Sequence, residues 1–373
     1  MNRRPQRMIQ TLIAEPDALS RAIENWASSP FLAVDTEFVR VDTYYPKLCL
    51  VQVKAQACAA ADLIDATALP SLDSLLDVLY APQRVKLFHA AGQDLEILVR
   101  LRGAVPQPIF DTQIAATLLG YGDQIGYAAL IEKRLGITLD KRLSRTDWAR
   151  RPLKPAELAY AAADVEHLAA IYPALQAELH ARGRIGWLAE DCVRLCDPAQ
   201  YRIRPEDAWQ RLRGLSRLSP REQTIAVALA CWREEEAQRR DRPRKWILDD
   251  EALYCLAQRQ PQTRAALDAL AVLPPKTLER HGEALLAVLD TALRTPERVY
   301  AQDDAFSDAD KRLLKALQAH VAACAAELEL PASYLAPRAD LARLVRAGAD
   351  ADVNVLRGWR REVCGSGLLA LLP

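Results

Sequence analysis

The chain has 373 residues, of which 50% are hydrophobic, and its 49 basic residues balance 49 acidic ones. This length and composition suit two or three domains with apolar cores and exclude bulk disorder, while zero net charge excludes a nucleic-acid binder that relies on a uniform basic field. No apolar run is long enough for a signal peptide or a membrane span, so we expect a cytoplasmic protein without a membrane partner.

The first predicted elements are three strands that lie close together in the sequence. They cover residues 31–39, 48–54 and 58–65. Because only short segments separate them, they can pair as an antiparallel meander. Residues two apart on a strand point to the same face, so Asp35 and Glu37 can reach one ion together while Thr36 faces the other way.

Helices and strands then alternate, which predicts a mixed sheet flanked by helices and therefore an α/β domain. Asp94 falls in the first turn of one helix, where the helix dipole tolerates an acid. Asp111 lies between a short strand and an apolar run, so we predict that it caps the next helix. The elements are helix 71–80, strand 85–89, helix 93–102, strand 107–110, helices 111–119, 127–135 and 155–182, and a helix within 184–198.

The long helix that begins near Pro155 carries a phenol and a carboxylate on one face. Proline suits a first helical turn, and alanine and leucine fill most interior positions of this segment. Tyr160 and Asp164 are four residues apart, and a turn takes about 3.6 residues. The two side chains can therefore address the same site.

Four carboxylates occur in segments that otherwise have the pattern of a buried core: Asp35, Glu37, Asp94 and Asp164. Each alone could be a helix cap or a salt-bridge partner. Charged groups in such surroundings cost several kcal/mol unless they are paired or bound to metal, so their recurrence indicates a cation site. Ligands that are all oxygen favour a hard ion, Mg²⁺ or Mn²⁺.

The eight cysteines and five histidines show no spacing typical of a metal site. No CxxC pair occurs, and most cysteines lie in apolar periodic segments. We therefore interpret them as buried reduced thiols rather than zinc ligands. His89 could approach the cation site or a phosphate, or it could be a hydrogen-bonded core histidine.

Beyond residue 200 the pattern becomes entirely helical. The predicted helices cover residues 205–213, 219–238, 248–259, 263–270, 275–280 and 282–293. Residues 295–306 have the composition of a linker, and a fainter helical pattern follows from about residue 307.

Two segments are locally basic despite the overall balance. Between Tyr201 and Trp246, 12 basic residues face 7 acidic ones, a local excess of 12 − 7 = +5. The run from Lys141 to Lys154 directly precedes the Tyr160 helix and includes Arg145, Arg150 and Arg151. Either segment could hold phosphates or could simply be a solvated surface.

The motifs resemble those of ribonuclease D, a member of the DEDD superfamily of 3′-to-5′ exonucleases in the branch whose third motif contains a tyrosine. The matching stretches are DTEF at 35–38, HAAGQDLE at 89–96, FDTQIAA at 110–116 and YAAADVEHL at 160–168. Residues 218–257 are similar to the helicase-and-RNase-D C-terminal domain, HRDC. The resemblance implies a ribonuclease H-like exonuclease domain at 1–203, an HRDC domain at 204–293 and a second, divergent HRDC-like bundle at 294–373.

The resemblance also implies a metal-dependent exoribonuclease that trims 3′ trailers from precursor tRNA and other small structured RNAs, acting as a monomer. Two divalent cations would be held by the four acids, with Asp35 bridging them, and Tyr160 would orient the attacking water. Phe38, His89, Arg145, Arg150 and Arg151 are candidates for substrate contact. A DNA exonuclease of the same superfamily and a non-catalytic RNA-binding protein are the alternatives.

Overall fold

The computed structural model describes residues 12–143, 145–301 and 306–373. The first eleven residues, Ser144 of the basic run and residues 302–305 of the predicted linker lie outside the described residues. The described chain divides into two compact units. One contains residues 12–38, 48–201 and 306–373, and the other contains residues 39–47 and 202–301.

Six strands form one mixed sheet. They are β1 (Leu12–Ile13), β2 (Phe31–Val39), β3 (Lys47–Ala55), β4 (Asp62–Asp65), β5 (Val85–Phe88) and β6 (Ile109–Asp111), arranged in the order β1-β4-β3-β2-β5-β6. β3 pairs with β4 in the antiparallel direction, whereas β1 pairs with β4, and β5 pairs with β2 and β6, in parallel. The predicted mixed sheet is confirmed.

Two differences from the predicted strands have local causes. β4 begins at Asp62 and not at residue 58, because the chain turns directly after β3 and the Cys58 amide donates to the Ala55 carbonyl over 3.2 Å. β1 was not predicted, because two residues are too few for a period-two pattern. It forms only because β4 provides a parallel partner.

Between residues 12 and 201, the described part of this unit contains seven α-helices. They are α1 (Pro16–Asn25), α2 (Asp73–Leu79), α3 (Gly92–Arg102), α4 (Thr112–Leu118), α5 (Tyr127–Leu135), α6 (Pro155–Ala181) and α7 (Ile185–Arg194). All but α1 were predicted. Asp111 caps α4 as expected, accepting hydrogen bonds from the Gln113 and Ile114 amides. None of the described helices is both long and apolar enough to cross a bilayer.

The two faces of β2 have different roles. Leu32 and Val34 are buried in the main core, together with Val53 of the neighbouring strand. Because side chains alternate along a strand, Asp35 and Glu37 point to the opposite face. One face of β2 therefore packs in the core, and the opposite face carries the two acids.

The C-terminal residues pack against α7 within the same unit as the sheet. Their helices are α13 (Asp308–Glu327), α14 (Ala332–Leu335), α15 (Arg338–Ala347), α16 (Gly358–Arg360), a π-helix (Arg361–Gly365) and α17 (Ser366–Ala370). Arg360 forms a buried ion pair with Asp191 at 2.5 Å, and Trp359 stacks on Trp187 with ring centroids 4.3 Å apart. The division into three domains stays a prediction, and so does the HRDC-like nature of this bundle.

The other unit is helical. Its helices are α8 (Pro220–Arg240), α9 (Arg244–Ile247), α10 (Asp250–Arg259), α11 (Arg264–Ala269) and α12 (Pro275–Arg294), preceded by 3₁₀ turns at Pro205–Arg211 and Leu215–Arg217. The segment 39–47 belongs to this unit: Tyr44 donates a hydrogen bond to Glu234, and the Tyr44 and Tyr45 amides donate to Asp241.

The predicted break between residues 280 and 282 is wrong, because α12 runs through it without interruption. Gly282 accounts for the difference, because an isolated glycine in a helical pattern suggests a helix boundary. A Cβ at this position would lie 2.9 Å from a guanidinium nitrogen of Arg264. The glycine therefore makes room for a neighbouring side chain.

We predict that Arg360→Ala lowers the free energy of unfolding by about 3 kcal/mol, because it leaves the buried Asp191 carboxylate with only the more distant Arg194, at 3.8 Å, as a basic partner. Thermal and urea unfolding would measure the loss. Arg357→Ala is the matched control, since the Arg357–Asp352 pair is exposed and should change stability by less than about 1 kcal/mol. Equal effects of the two substitutions would contradict the structural role of the buried pair.

Candidate active site

Three carboxylates meet where β2 faces α6. Asp35 and Glu37 come from β2 and Asp164 from α6, and one oxygen from each lies within 4.8 Å of the others. All three side chains are partly exposed. Strand alternation therefore delivers two acids to one face, and the helix adds the third from across the gap.

Asp94, the fourth predicted acid, adjoins this group from the first turn of α3. It is 7% exposed, and the Thr36 hydroxyl donates a hydrogen bond of 2.5 Å to its carboxylate. Burial and then the charge of Asp35 raise the pKa of Asp94, and the charge of Asp94 is one of the smaller causes that raise the pKa of Glu37. Thr36 is a positioning residue that sequence reasoning missed.

The pKa of each of these acids is raised. Burial is the main cause throughout: it raises the pKa of Asp35 to about 6, and together with neighbouring carboxylates it raises that of Asp164 to about 8 and that of Glu37 to about 9. Burial and the Asp35 charge also raise the pKa of Asp94. Four acids that resist ionising together are a site that a cation would stabilise.

The donor set fits a hard divalent cation. No ion pair with a basic side chain is formed by any of the four acids among the described residues, and every available ligand atom is a carboxylate oxygen. Oxygen donors of this kind suit Mg²⁺ or Mn²⁺ and do not suit soft metals. Asp35, Glu37 and Asp164 would share one ion, and Asp94 would contribute from the side of α3.

Tyr160 lies one helical turn before Asp164 on α6. Its side chain is partly exposed, and burial together with the charges of Asp164, Glu37 and Asp35 raises its pKa above the usual value. The phenol therefore keeps its proton at neutral pH. In the metal-free site it can therefore donate a hydrogen bond.

Tyr127 of α5 fixes the position of Asp164 and was not identified from the sequence. Its hydroxyl donates to the carbonyls of Ala163 and Asp164, over 2.9 and 2.5 Å. Burial and the carboxylates raise its pKa, so it stays a donor. No spacing rule signals this residue, because the contact joins two helices distant in sequence.

His89 is held from both sides of its ring. Nδ1 lies 3.0 Å from the Thr112 hydroxyl, and Nε2 lies 3.1 Å from the Ile125 carbonyl. The ring also packs edge-to-face on Tyr127, with centroids 5.5 Å apart. The structure therefore shows His89 as a hydrogen-bonded histidine. Its contact with substrate stays a prediction.

Asp111 does more than cap α4. Its carboxylate also accepts hydrogen bonds from the Ala90 and Ala91 amides, over 3.2 and 2.9 Å. These amides belong to the turn that leads from β5 into α3, and Asp94 lies in the first turn of α3. The cap therefore also holds the segment that positions a candidate ligand.

Two of the three predicted arginines have internal partners. Arg150 donates to both oxygens of Glu157, and Arg151 donates to both oxygens of Asp65. Arg145 is exposed, and Phe38 is partly exposed one residue after Glu37. Contacts of Phe38, Arg145, Arg150 and Arg151 with RNA stay predictions. In the structure, Arg150 and Arg151 form internal ion pairs.

Comparison with known proteins places these features in context. A family model described as 3′-5′ exonuclease matches residues 10–180, and the HRDC domain model matches residues 222–289. Ribonuclease D of Sphingobium indicum is 40% identical over 379 residues, covering 98% of this chain and 95% of that protein. Ribonuclease D of Pseudomonas paraeruginosa is 35% identical, covering 96% of each.

A solved structure is similar over nearly the whole chain. Escherichia coli RNase D, described as an exoribonuclease involved in structured RNA processing, matches with a TM-score of 0.87 and 31% sequence identity, covering 98% of each chain. The similarity therefore includes the sheet unit, the HRDC region and the C-terminal helices.

We predict that the metal-free protein loses stability as the pH rises from about 4 to about 9. Free carboxyls ionise near pH 4, whereas Asp35, Asp164 and Glu37 keep their protons to about pH 6, 8 and 9 in the folded protein. The folded form therefore binds more protons than the unfolded chain over this interval, and its stability falls with rising pH.

Melting temperatures in a chelator and in Mg²⁺, recorded across this pH range, would test the prediction. Mg²⁺ should oppose the fall, because it replaces the protons. Glu37→Gln should flatten the metal-free profile, whereas Glu24→Gln, an exposed change on α1, should leave it unaltered. A metal-free melting temperature that rose between pH 5 and pH 9 would contradict the electrostatic account.

Proposed function

Because the chain belongs to the ribonuclease D family of 3′-to-5′ exoribonucleases, we propose that it trims 3′ trailer nucleotides from precursor tRNA and other small structured RNAs. One observation supports this most directly: carboxylate oxygens of Asp35, Glu37 and Asp164 lie within 4.8 Å of one another, with Asp94 alongside. The enzyme would act in the cytoplasm as a monomer.

The four acids would hold two divalent cations, Mg²⁺ or Mn²⁺. Asp35 would contribute to both positions, Glu37 and Asp164 to one, and Asp94 to the other; the separation of Asp94 from the closely grouped three supports this assignment. When bound, such cations neutralise the charge of the phosphate and activate the attacking water.

Tyr160 would orient the attacking water. Its raised pKa keeps the phenolic proton in place, so the hydroxyl can donate a hydrogen bond. Water adds to the terminal phosphorus, and the bond from phosphorus to the 3′ oxygen of the preceding nucleotide breaks. That oxygen takes up a proton, and a nucleoside 5′-monophosphate leaves.

The substrate would be held from several sides. Phe38, partly exposed beside Glu37, would contact the last bases, and the exposed Arg145 would contact a phosphate near the cleaved end. His89, Arg150 and Arg151 would contribute through the segments that they anchor, in addition to any direct contact. The HRDC region would bind the structured body of the RNA. The Escherichia coli relative is described as an exoribonuclease involved in structured RNA processing, which supports structured RNA as the substrate class.

Incubation of a tRNA that carries extra 3′ nucleotides tests the proposal. With Mg²⁺, the wild-type protein should shorten it stepwise and release nucleoside 5′-monophosphates. Asp164→Asn and Asp35→Ala should each lower the rate at least about a hundredfold, because each removes charge that the transition state requires. Asp17→Asn, an exposed change on α1, should keep full activity.

Three outcomes would contradict the proposal. Folded Asp35 or Asp164 variants that degrade RNA at the wild-type rate would exclude these residues from the reaction. Activity that did not depend on a divalent cation would exclude the proposed site. Faster digestion of a matched DNA strand would favour the DNA exonuclease alternative.

A further inference from the structure

Trp148 lies against the candidate active-site tyrosine from the loop that precedes α6. The indole is 2% exposed and stacks on Tyr160, with ring centroids 6.3 Å apart and planes 27° from parallel. Its ring N–H is buried and has no acceptor within the described part of the chain. The position of the indole therefore depends on packing and on the backbone that carries it.

Arg151 fixes that backbone to the sheet. Its guanidinium donates to both oxygens of Asp65 at the end of β4, over 2.6 Å each, and the Asp65 side chain is 3% exposed. The same guanidinium donates to the Trp148 carbonyl over 2.7 Å and to the Cys49 carbonyl over 3.0 Å. One buried, bidentate ion pair thus holds the residue that stacks on Tyr160.

The other end of the loop is fixed to α6. Arg150 donates to Glu157 over 2.7 and 2.8 Å, and the Glu157 carboxylate also accepts from the Lys154 amide over 2.7 Å. Glu157 lies in the first turn of the helix that carries Tyr160. The loop is therefore anchored both to the sheet and to the helix.

We propose that Trp148, held by the Arg151–Asp65 pair, is a positioning residue for Tyr160. This inference rests on the proposed function, in which the Tyr160 hydroxyl orients the attacking water. Tyr160 is partly exposed, so the stacked indole limits the directions in which its ring can turn. Loss of the indole should lower the turnover number and leave RNA binding in place.

A double-mutant cycle distinguishes positioning from a general effect on folding. Trp148→Ala should lower kcat about tenfold in the wild-type background, with KM changed less than about twofold. In a Tyr160→Phe background the same substitution should cost less than about twofold, because there is no hydroxyl left to position. Trp148→Phe keeps an aromatic ring and should retain most of the activity.

Arg151 provides a second test if Trp148→Ala fails to fold. Arg151→Gln should lower kcat in the wild-type background and have little effect beside Tyr160→Phe, and Arg151→Lys should fall between, because lysine cannot make the bidentate contact. Val193→Ala, at a residue of α7 that is 64% exposed, is the control and should be silent.

Equal losses in both backgrounds would overturn the positioning role. A rise in KM with Trp148→Phe and Trp148→Ala alike would also overturn it, since it would assign the indole N–H to RNA binding. Failure of the proposed function is a separate result: the wild-type protein itself would then leave RNA intact.

A second, independent inference concerns three soft ligand atoms in the C-terminal helices. His320 and Cys324 are four residues apart on α13, and Cys364 lies in the π-helix that follows α16. One ring nitrogen of the imidazole and the two sulfur atoms lie within 4.8 Å of one another, and Nε2 is 3.5 Å from the Cys324 sulfur. No spacing along the chain signals this cluster, because Cys364 is distant in sequence from His320 and Cys324.

The backbone around the cluster leaves space for the imidazole. A Cβ at Gly367 would lie 2.4 Å from both Cε1 and Nε2 of His320. The edge of the ring therefore lies directly against the α17 backbone, which fixes Nε2 close to the two thiols. The Cys364 carbonyl oxygen also lies near the ring, 3.2 Å from Nε2.

We infer that His320, Cys324 and Cys364 bind a thiophilic divalent cation of the Zn²⁺ class, with a fourth position open. A tetrahedral zinc ion about 2.1 Å from nitrogen and about 2.3 Å from sulfur separates those ligand atoms by about 3.5 Å, the separation found between His320 and Cys324. Thiolate and imidazole ligands select such an ion over Mg²⁺. It would join α13 to the helical segment 358–370.

Cobalt substitution of the full-length, chelator-treated protein tests the site. In excess Mg²⁺, which saturates the carboxylates, one equivalent of Co²⁺ should give the near-ultraviolet absorption of a cobalt–thiolate bond. Cys324→Ser and Cys364→Ser should each abolish it, and Zn²⁺ should raise the melting temperature of the wild-type protein but not that of these two variants. Cys255→Ser, at a partly buried cysteine of α10, is the control and should bind normally.

Absence of a thiolate band, or Zn²⁺ uptake that the substitutions leave unchanged, would overturn the inference and leave a hydrogen-bonded cluster. Because Cys364 is buried, its serine variant could lose the fold. Cys324→Ser and His320→Gln, at partly buried positions, keep the test decisive in that case.

Discussion

The mutual repulsion of four carboxylates is the constraint around which this part of the molecule is organised. Burial raises the pKa of all four, and the charges of neighbouring acids add to the effect at Glu37, Asp94 and Asp164. No basic side chain among the described residues neutralises them by an ion pair. The folded protein therefore stores an electrostatic cost that protons or a divalent cation can relieve, which is the property that a metal-dependent phosphodiesterase needs.

The groups that hold these acids in place are mostly neutral. Thr36 supports Asp94 through a hydroxyl, and Tyr127 supports the Asp164 segment through backbone carbonyls. A lysine or arginine at either place would position an acid equally well, but it would also neutralise the charge that attracts the cation. Arginine is used farther out, where Arg151 binds Asp65 and supports the loop beside Tyr160.

Local patterns in the sequence predicted much of the fold. The strand at 31–39 has the predicted bounds, and α6 begins at Pro155 as expected, because period-two and period-3.6 patterns with clear end signals are local properties. The failures involve distant partners. β1 is a strand only because it pairs with β4. Gly282 lies inside α12 because the Arg264 side chain occupies the space of a Cβ, and Arg264 is too far from residue 282 in sequence to belong to the same local pattern.

The sequence alone determined which residues are the candidates for the chemistry: Asp35 and Glu37 share a strand face, Tyr160 and Asp164 share a helix face, and their motifs identify the family. Spacing within one element is enough for such pairs, because backbone geometry fixes the direction of each side chain. Only the tertiary structure decided that Thr36 and Tyr127 support the acids, that Arg151 turns inward to Asp65, and that Asp191 binds Arg360. These contacts join residues that are far apart in sequence. They depend on how the elements pack against one another, and the periodicity within a single element cannot predict such packing.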